Sequence, residues 1–148
     1  MAFYYPGNHI GLLLIHGFCG SPYDMHHLGQ YLHQQGFTVR GIQLAGHGSG
    51  NPRDLAKITY KQWVQSAAEG LAKLQENSAQ VYCIGFSMGG TIALHLAAHY
   101  PIKGLITICA PIRIKPVFHI RRARHYLWQR QKILLKDPEA RKKRQTYP

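Results

Sequence analysis

Acidic side chains are scarce in this chain: six Asp and Glu stand against 18 Lys and Arg among 148 residues, for a formal net charge of +12. The shortage is local. Residues 1–112 carry six basic and four acidic side chains, a balance of +2, whereas residues 113–148 carry twelve and two, a balance of +10. Affinity for an anionic partner is therefore a question about the last quarter of the chain. Cysteine is also rare. Cys19, Cys83 and Cys109 are too few and too scattered for a metal cluster, and they read as reduced packing residues. Among the ten histidines, His26-His27 and the His95/His99 pair lack clustered carboxylate or cysteine partners, so neither a metal site nor a cofactor is expected. No apolar run approaches the roughly 20 residues that span a bilayer, and Met1–Ile10 is not a basic stretch leading into an apolar one. The expectation is a soluble, cytoplasmic protein. With 45% hydrophobic residues, the chain is long enough for one domain with a real core.

What the chain does have is concentrated at one turn. Val81-Tyr82-Cys83-Ile84 is a β-type run that breaks into Gly85-Phe86-Ser87-Met88-Gly89-Gly90, and Thr91–Ala98 then reads as a buried helix ending before Pro101. A serine raised on a tight strand-to-helix corner sits in strained backbone and needs small residues on both sides, which Gly85 and Gly89 supply. The same corner places the Met88 N–H at a helix N-terminus, where it can meet a carbonyl oxygen that gains negative charge.

Two further glycine-rich loops follow strand-like runs. Gly11–Ile15 is a short continuous apolar run, as in a strand buried on both faces, and His16-Gly17-Phe18-Cys19-Gly20 follows it. In an α/β sheet that loop lies at the carboxyl edge, where ligands bind, and its Phe18 N–H is the second candidate oxyanion donor. Tyr23–Gln35 has helical spacing and stops at Gly36; Phe37–Leu44 is the next strand. Ala45-Gly46-His47-Gly48 then brings His47 to the same edge, where it reads as a loop histidine that bonds the backbone and shapes the rim. Thr59–Glu76 is an amphipathic helix with Trp63, Val64, Ala67, Leu71 and Leu74 at helical intervals, and Gly104–Cys109 is a further apolar strand. Strands alternating with helices argue an α/β fold with an open parallel sheet and flanking helices.

Three motifs in this order, His16-Gly17-Phe18, Gly46-His47-Gly48 and Gly85-Phe86-Ser87-Met88-Gly89-Gly90, carry a resemblance to the α/β-hydrolase superfamily, in particular to bacterial carboxylesterases and monoacylglycerol lipases. The resemblance runs from about Gly11 to about Ile114, and residues 1–112 read as the amino-terminal part of such a core. It implies a serine hydrolase acting on a carboxylic ester with an apolar acyl group. Ser87 would be the nucleophile, and Phe18 and Met88 would be the oxyanion donors. His16, Gly17 and His47 would lie beside the substrate.

The resemblance also implies a general-base histidine and an orienting aspartate on loops after later strands, in the order Ser…Asp…His. Here the pattern is departed from. After Ser87 the acids are Asp137 and Glu139, and the histidines are His95, His99, His119 and His125. His95 lies eight residues along a helix, about 12 Å from Ser87, and cannot reach it. His119 or His125, oriented by Asp137 or Glu139, could approach only if the basic segment 113–148, read as a partial cap, folded over the crevice. The expected object is an amino-terminal portion of an esterase, with later strands missing and an apolar edge at Leu105–Cys109 open to self-association. A second expectation comes from another class: an inactive remnant whose basic tail, with Tyr126 and Trp128 among its charges, binds nucleic acid or an anionic membrane surface.

Overall fold

A computed structural model describes residues 1–49 and 52–113; the expected cap helix at 119–136 and the basic run at 141–144 lie outside the described residues. Among the described residues five strands form one sheet: β1 (Phe3–Tyr5), β2 (Ile10–Ile15), β3 (Thr38–Ile42), β4 (Gln80–Phe86) and β5 (Gly104–Ile108), in the spatial order β1-β3-β2-β4-β5. The helices are α1 (His26–Gln34), α2 (Pro52–Ala56), α3 (Tyr60–Gln75) and α4 (Met88–His99). No helix among the described residues is long and apolar enough to cross a membrane.

The continuous apolar runs occupy the middle of the sheet because both of their faces are covered. Leu13 and Ile15 of β2 point into a core with Leu71 and Leu74 of α3 and Leu96 of α4. Leu12 and Leu14 point the other way, onto Met25 with Leu28 and Leu32 of α1. Cys83 sits in the first core with no exposed surface, and burial pushes its thiol up to about 12, which suits a packing residue. The α3 boundaries agree with their sequence signals. Thr59 is the N-cap, Gln62 Oε1 accepts its N–H at 2.8 Å, and Glu76 closes the helix.

The expected open sheet with flanking helices is present, with β2, β3, β4 and β5 paired in parallel; β1 adds an antiparallel edge on β3 in the register Phe3↔Gly41 and Tyr5↔Val39. The Phe3 ring occupies the space left by missing side chains: a Cβ on Gly41 would lie 2.2 Å from it, and one on Gly29 2.7 Å. The segment expected as one helix from Tyr23 to Gln35 is a 3-10 turn, Pro22–Met25, followed by α1. Pro22 starts that turn, and Asp24 Oδ2 accepts the Ser21 N–H at 2.9 Å. The short helix α2 had no expectation attached to it. Strand β5 pairs with β4 and is the sheet edge among the described residues, with Ile106 52% exposed.

Candidate active site

Parallel pairing brings the ends of β2 and β4 side by side, with Ile15 opposite Gly85. The loop that begins at His16 and the corner at Ser87 therefore leave the same edge of the sheet. At that corner one residue separates the strand from α4. It is Ser87, at φ 52° and ψ −121°, a conformation L-residues rarely adopt and one that stores on the order of 1–3 kcal/mol of strain. The surroundings hold it there. Its N–H donates to the Ile108 carbonyl at 2.8 Å, and its own carbonyl accepts the N–H groups of Gly90 at 2.9 Å and Thr91 at 3.3 Å.

Backbone runs where side chains would otherwise be. A Cβ on Gly85 would lie 2.3 Å from the Gly89 carbonyl oxygen, and one on Gly89 would lie 2.2 Å from that of Ile15. Helix α4 thus starts pressed against the ends of β2 and β4. Met88 is its first residue, and its N–H is one of the donors that a first turn cannot satisfy, at the positive end of the helix dipole.

The loop after β2 is built from side chains instead. The His16 ring is fully buried. Its Nε2 accepts the Leu44 N–H at 3.2 Å, which leaves the proton on Nδ1 to donate to the Gly17 carbonyl at 2.9 Å. One imidazole in one tautomer therefore ties the loop after β2 to the chain after β3. Gly17 then turns past Ser87: a Cβ there would lie 3.3 Å from the Ser87 Cβ and 3.1 Å from the Phe86 ring. A turn closes through the Gly20 N–H and the Gly17 carbonyl at 3.0 Å, with Cys19 at φ 56°. That bond leaves the Phe18 N–H outside the turn.

The Phe18 ring rests edge-on against His47, at 6.0 Å between centroids, and Trp63, at 5.8 Å. His47 also meets His16 at 5.0 Å. Its Nδ1 donates to the Ala45 carbonyl at 3.0 Å, where Trp63 Nε1 donates as well at 3.1 Å. Only 3% of His47 is exposed, so it stands inside the wall behind Phe18 rather than on an open rim. Burial holds its pKa below the ordinary imidazole value, against the opposing pull of the Ala45 and Leu44 backbone bonds.

This arrangement of strand, strained serine corner and adjoining glycine loop has relatives. The sequence matches the family described as serine aminopeptidase, S33, over residues 8–145. The chain is an α/β-hydrolase of that family. It is 37% identical over 116 residues to a thermostable monoacylglycerol lipase of Bacillus sp. (strain H-257), covering 78% of this chain and 46% of the lipase. It is 35% identical over 114 residues to a carboxylesterase of Bacillus subtilis (strain 168), covering 76% of this chain and 46% of the esterase. A solved structure from work on two metagenome-derived lipolytic enzymes, LipS and LipT, superposes with a TM-score of 0.74 at 32% identity, covering 78% of this chain and 48% of that one. The chain spans about half the length of the relatives it matches.

Within this α/β-hydrolase framework the structure gathers Gly17, Phe18, Ser87 and Met88 at one edge, with His16 and His47 packed behind them. It does not bring a base to the serine from α4, because His95 and His99 are exposed residues on the last two turns of that helix. His119, His125, Asp137 and Glu139 lie outside the described residues. Sequence reading treated Trp63 as a core position of an amphipathic helix and missed that its indole walls the loop and bonds the Ala45 carbonyl. Helical spacing alone carries no signal for that role. The left-handed backbone at Cys19 and at Cys109, φ 53°, likewise had no sequence marker, since neither residue is glycine or asparagine.

Proposed function

We propose that the chain carries the nucleophile and oxyanion-binding half of a carboxylic ester hydrolase site. Ser87 Oγ attacks the ester carbonyl, its proton passes to a base and then to the departing alcohol, and water cleaves the resulting acyl-enzyme to release the acid. The N–H groups of Phe18 and Met88 receive the oxygen that becomes negative. Gly17, bare of a side chain, lets the reacting carbonyl approach between them. His16 and His47 act from behind, by holding the loop. The observation that carries this reading is the Ser87 backbone, strained at φ 52° and pinned against the Gly17 loop. Ester rather than amide chemistry is supported by the relatives that the sequence resembles at 35–37% identity, a monoacylglycerol lipase and a carboxylesterase. An apolar acyl group suits the rings of Phe18, in the loop after β2, and Phe86, next to Ser87 in sequence, which are 38% and 41% exposed.

In this reading the base and its carboxylate come from outside the described residues. Without them Ser87 is an ordinary alcohol, and the oxyanion donors alone sustain a small residual rate. The test is a fluorophosphonate probe and a p-nitrophenyl ester on the 148-residue chain, alongside Ser87→Ala. Slow labelling that disappears in Ser87→Ala is the expected result. Fast labelling with the same dependence would place a working base within 114–148, with His119 and His125 the residues to replace next. Labelling that is unchanged in Ser87→Ala would remove Ser87 from the mechanism.

A further inference from the structure

Helix α4 presents Ser87 with its first turn, and its last two turns carry a feature that ester chemistry does not use. His95 and His99 are four residues apart, so they stand one above the other on the helix surface. Both are exposed, and their rings lie 4.2 Å apart between centroids at an interplanar angle of 28°. Ile92, Ala93 and Leu96 supply buried positions of α4, whereas neither histidine is among the residues the helix buries. His99 Nδ1 lies 2.8 Å from the His95 backbone carbonyl, which can only accept, so that nitrogen carries the proton. The Nε2 lone pair of His99 is then directed away from the backbone. A metal-bound imidazole is held in the same way, with its second nitrogen donating to a carbonyl that fixes tautomer and orientation. The pair also sits at the carboxyl end of α4, where the helix dipole favours positive charge.

Sequence reading set these two histidines aside because they lack carboxylate or cysteine neighbours, and no group of three or more such ligands is arranged for a metal among the described residues. A two-nitrogen site needs none. We propose that His95 and His99 form a surface chelate for a divalent transition-metal ion that prefers imidazole, such as Ni2+, Cu2+ or Zn2+, with one nitrogen from each ring and water in the remaining positions. The exposed His95 ring turns about its side-chain torsions to complete the pair. The site lies at the far end of α4 from Ser87 and takes no part in the ester reaction.

The test is calorimetric titration of the full chain with Ni2+, with circular dichroism confirming that each variant is folded. His95→Gln and His99→Gln are each expected to weaken binding at least about tenfold, since either leaves a single imidazole. A double variant, His99→Gln with Ala97→His, keeps the number of histidines but sets the pair about 200° apart around the helix. It is expected to bind as weakly as the single variants. Unchanged Ni2+ affinity in both single variants, or full affinity in the displaced double variant, would overturn the chelate.

Discussion

The corner after β4 and the loop after β2 meet at Ser87, and they are held there by opposite means. The corner depends on side chains that are missing: Gly85 and Gly89 let backbone pass within about the distance at which any Cβ would collide. The loop depends on side chains that are buried, with His16 bonded through both ring nitrogens and His47 and Trp63 packed behind Phe18. One is set by steric fit and carries no titratable group. The other is set by imidazoles whose bonds depend on their protonation. The difference teaches that the Ser87 corner and the loop after β2 should fail under different perturbations.

The largest effect is expected from Gly89→Ala, whose Cβ would lie 2.2 Å from the carbonyl oxygen of Ile15, in a central strand that cannot yield. Overpacking against backbone should cost on the order of 3 kcal/mol in chemical denaturation. A loss below about 1 kcal/mol would mean that α4 is not seated on the end of β2. Replacing His16 by Ala should cost about 2 kcal/mol, because the Leu44 N–H loses its buried acceptor and the Gly17 carbonyl loses a donor.

Acid sharpens the comparison further. Burial depresses the folded pKa of His47 from its ordinary value of 6.5, so the unfolded chain takes up the proton first as pH falls. The stabilisation is complete above pH 6.5 and is lost below it, until the folded group itself titrates, with a slope of at most about 1.4 kcal/mol per pH unit. Denaturation curves from pH 8 to pH 5 should show this slope, and His47→Gln should flatten it. His26, also lowered by burial and by its neighbour His27, adds in the same direction and should persist in that variant. The smallest change runs the other way. Ser87→Gly should raise stability by about 1 kcal/mol, since glycine relieves the strained backbone but loses more entropy on folding.

How much of this was legible in the sequence follows from the kind of signal each part leaves. The runs Leu12–Ile15 and Val81–Ile84 declare buried central strands because both faces are covered, and the Thr59 cap and the Gly36 stop are local signals that act locally. Gly85, Ser87 and Gly89 could be read as a corner because a strand-like run leads into them and a helical pattern follows. Strand β1 could not, since three residues carry no periodicity and its position depends on Phe3 filling spaces at Gly29 and Gly41, far along the chain. His16 and His47 were visible as loop histidines, but their burial and the tautomer of His16 arise only when β2 and β3 bring Leu44 and Ala45 beside them. Tertiary pairing of this sort leaves no mark at the residue itself.

We propose that the Ser87 corner and the Phe18 loop form a competent nucleophile site whose base comes from outside the described residues. The most direct measurement joins residues 1–112 of this chain to the remainder of the Bacillus sp. monoacylglycerol lipase, to which it is 37% identical, and follows fluorophosphonate labelling. Rapid labelling and ester hydrolysis that both vanish in Ser87→Ala are the predicted result. A chimera that folds, by circular dichroism and cooperative melting, yet leaves Ser87 unlabelled would contradict it.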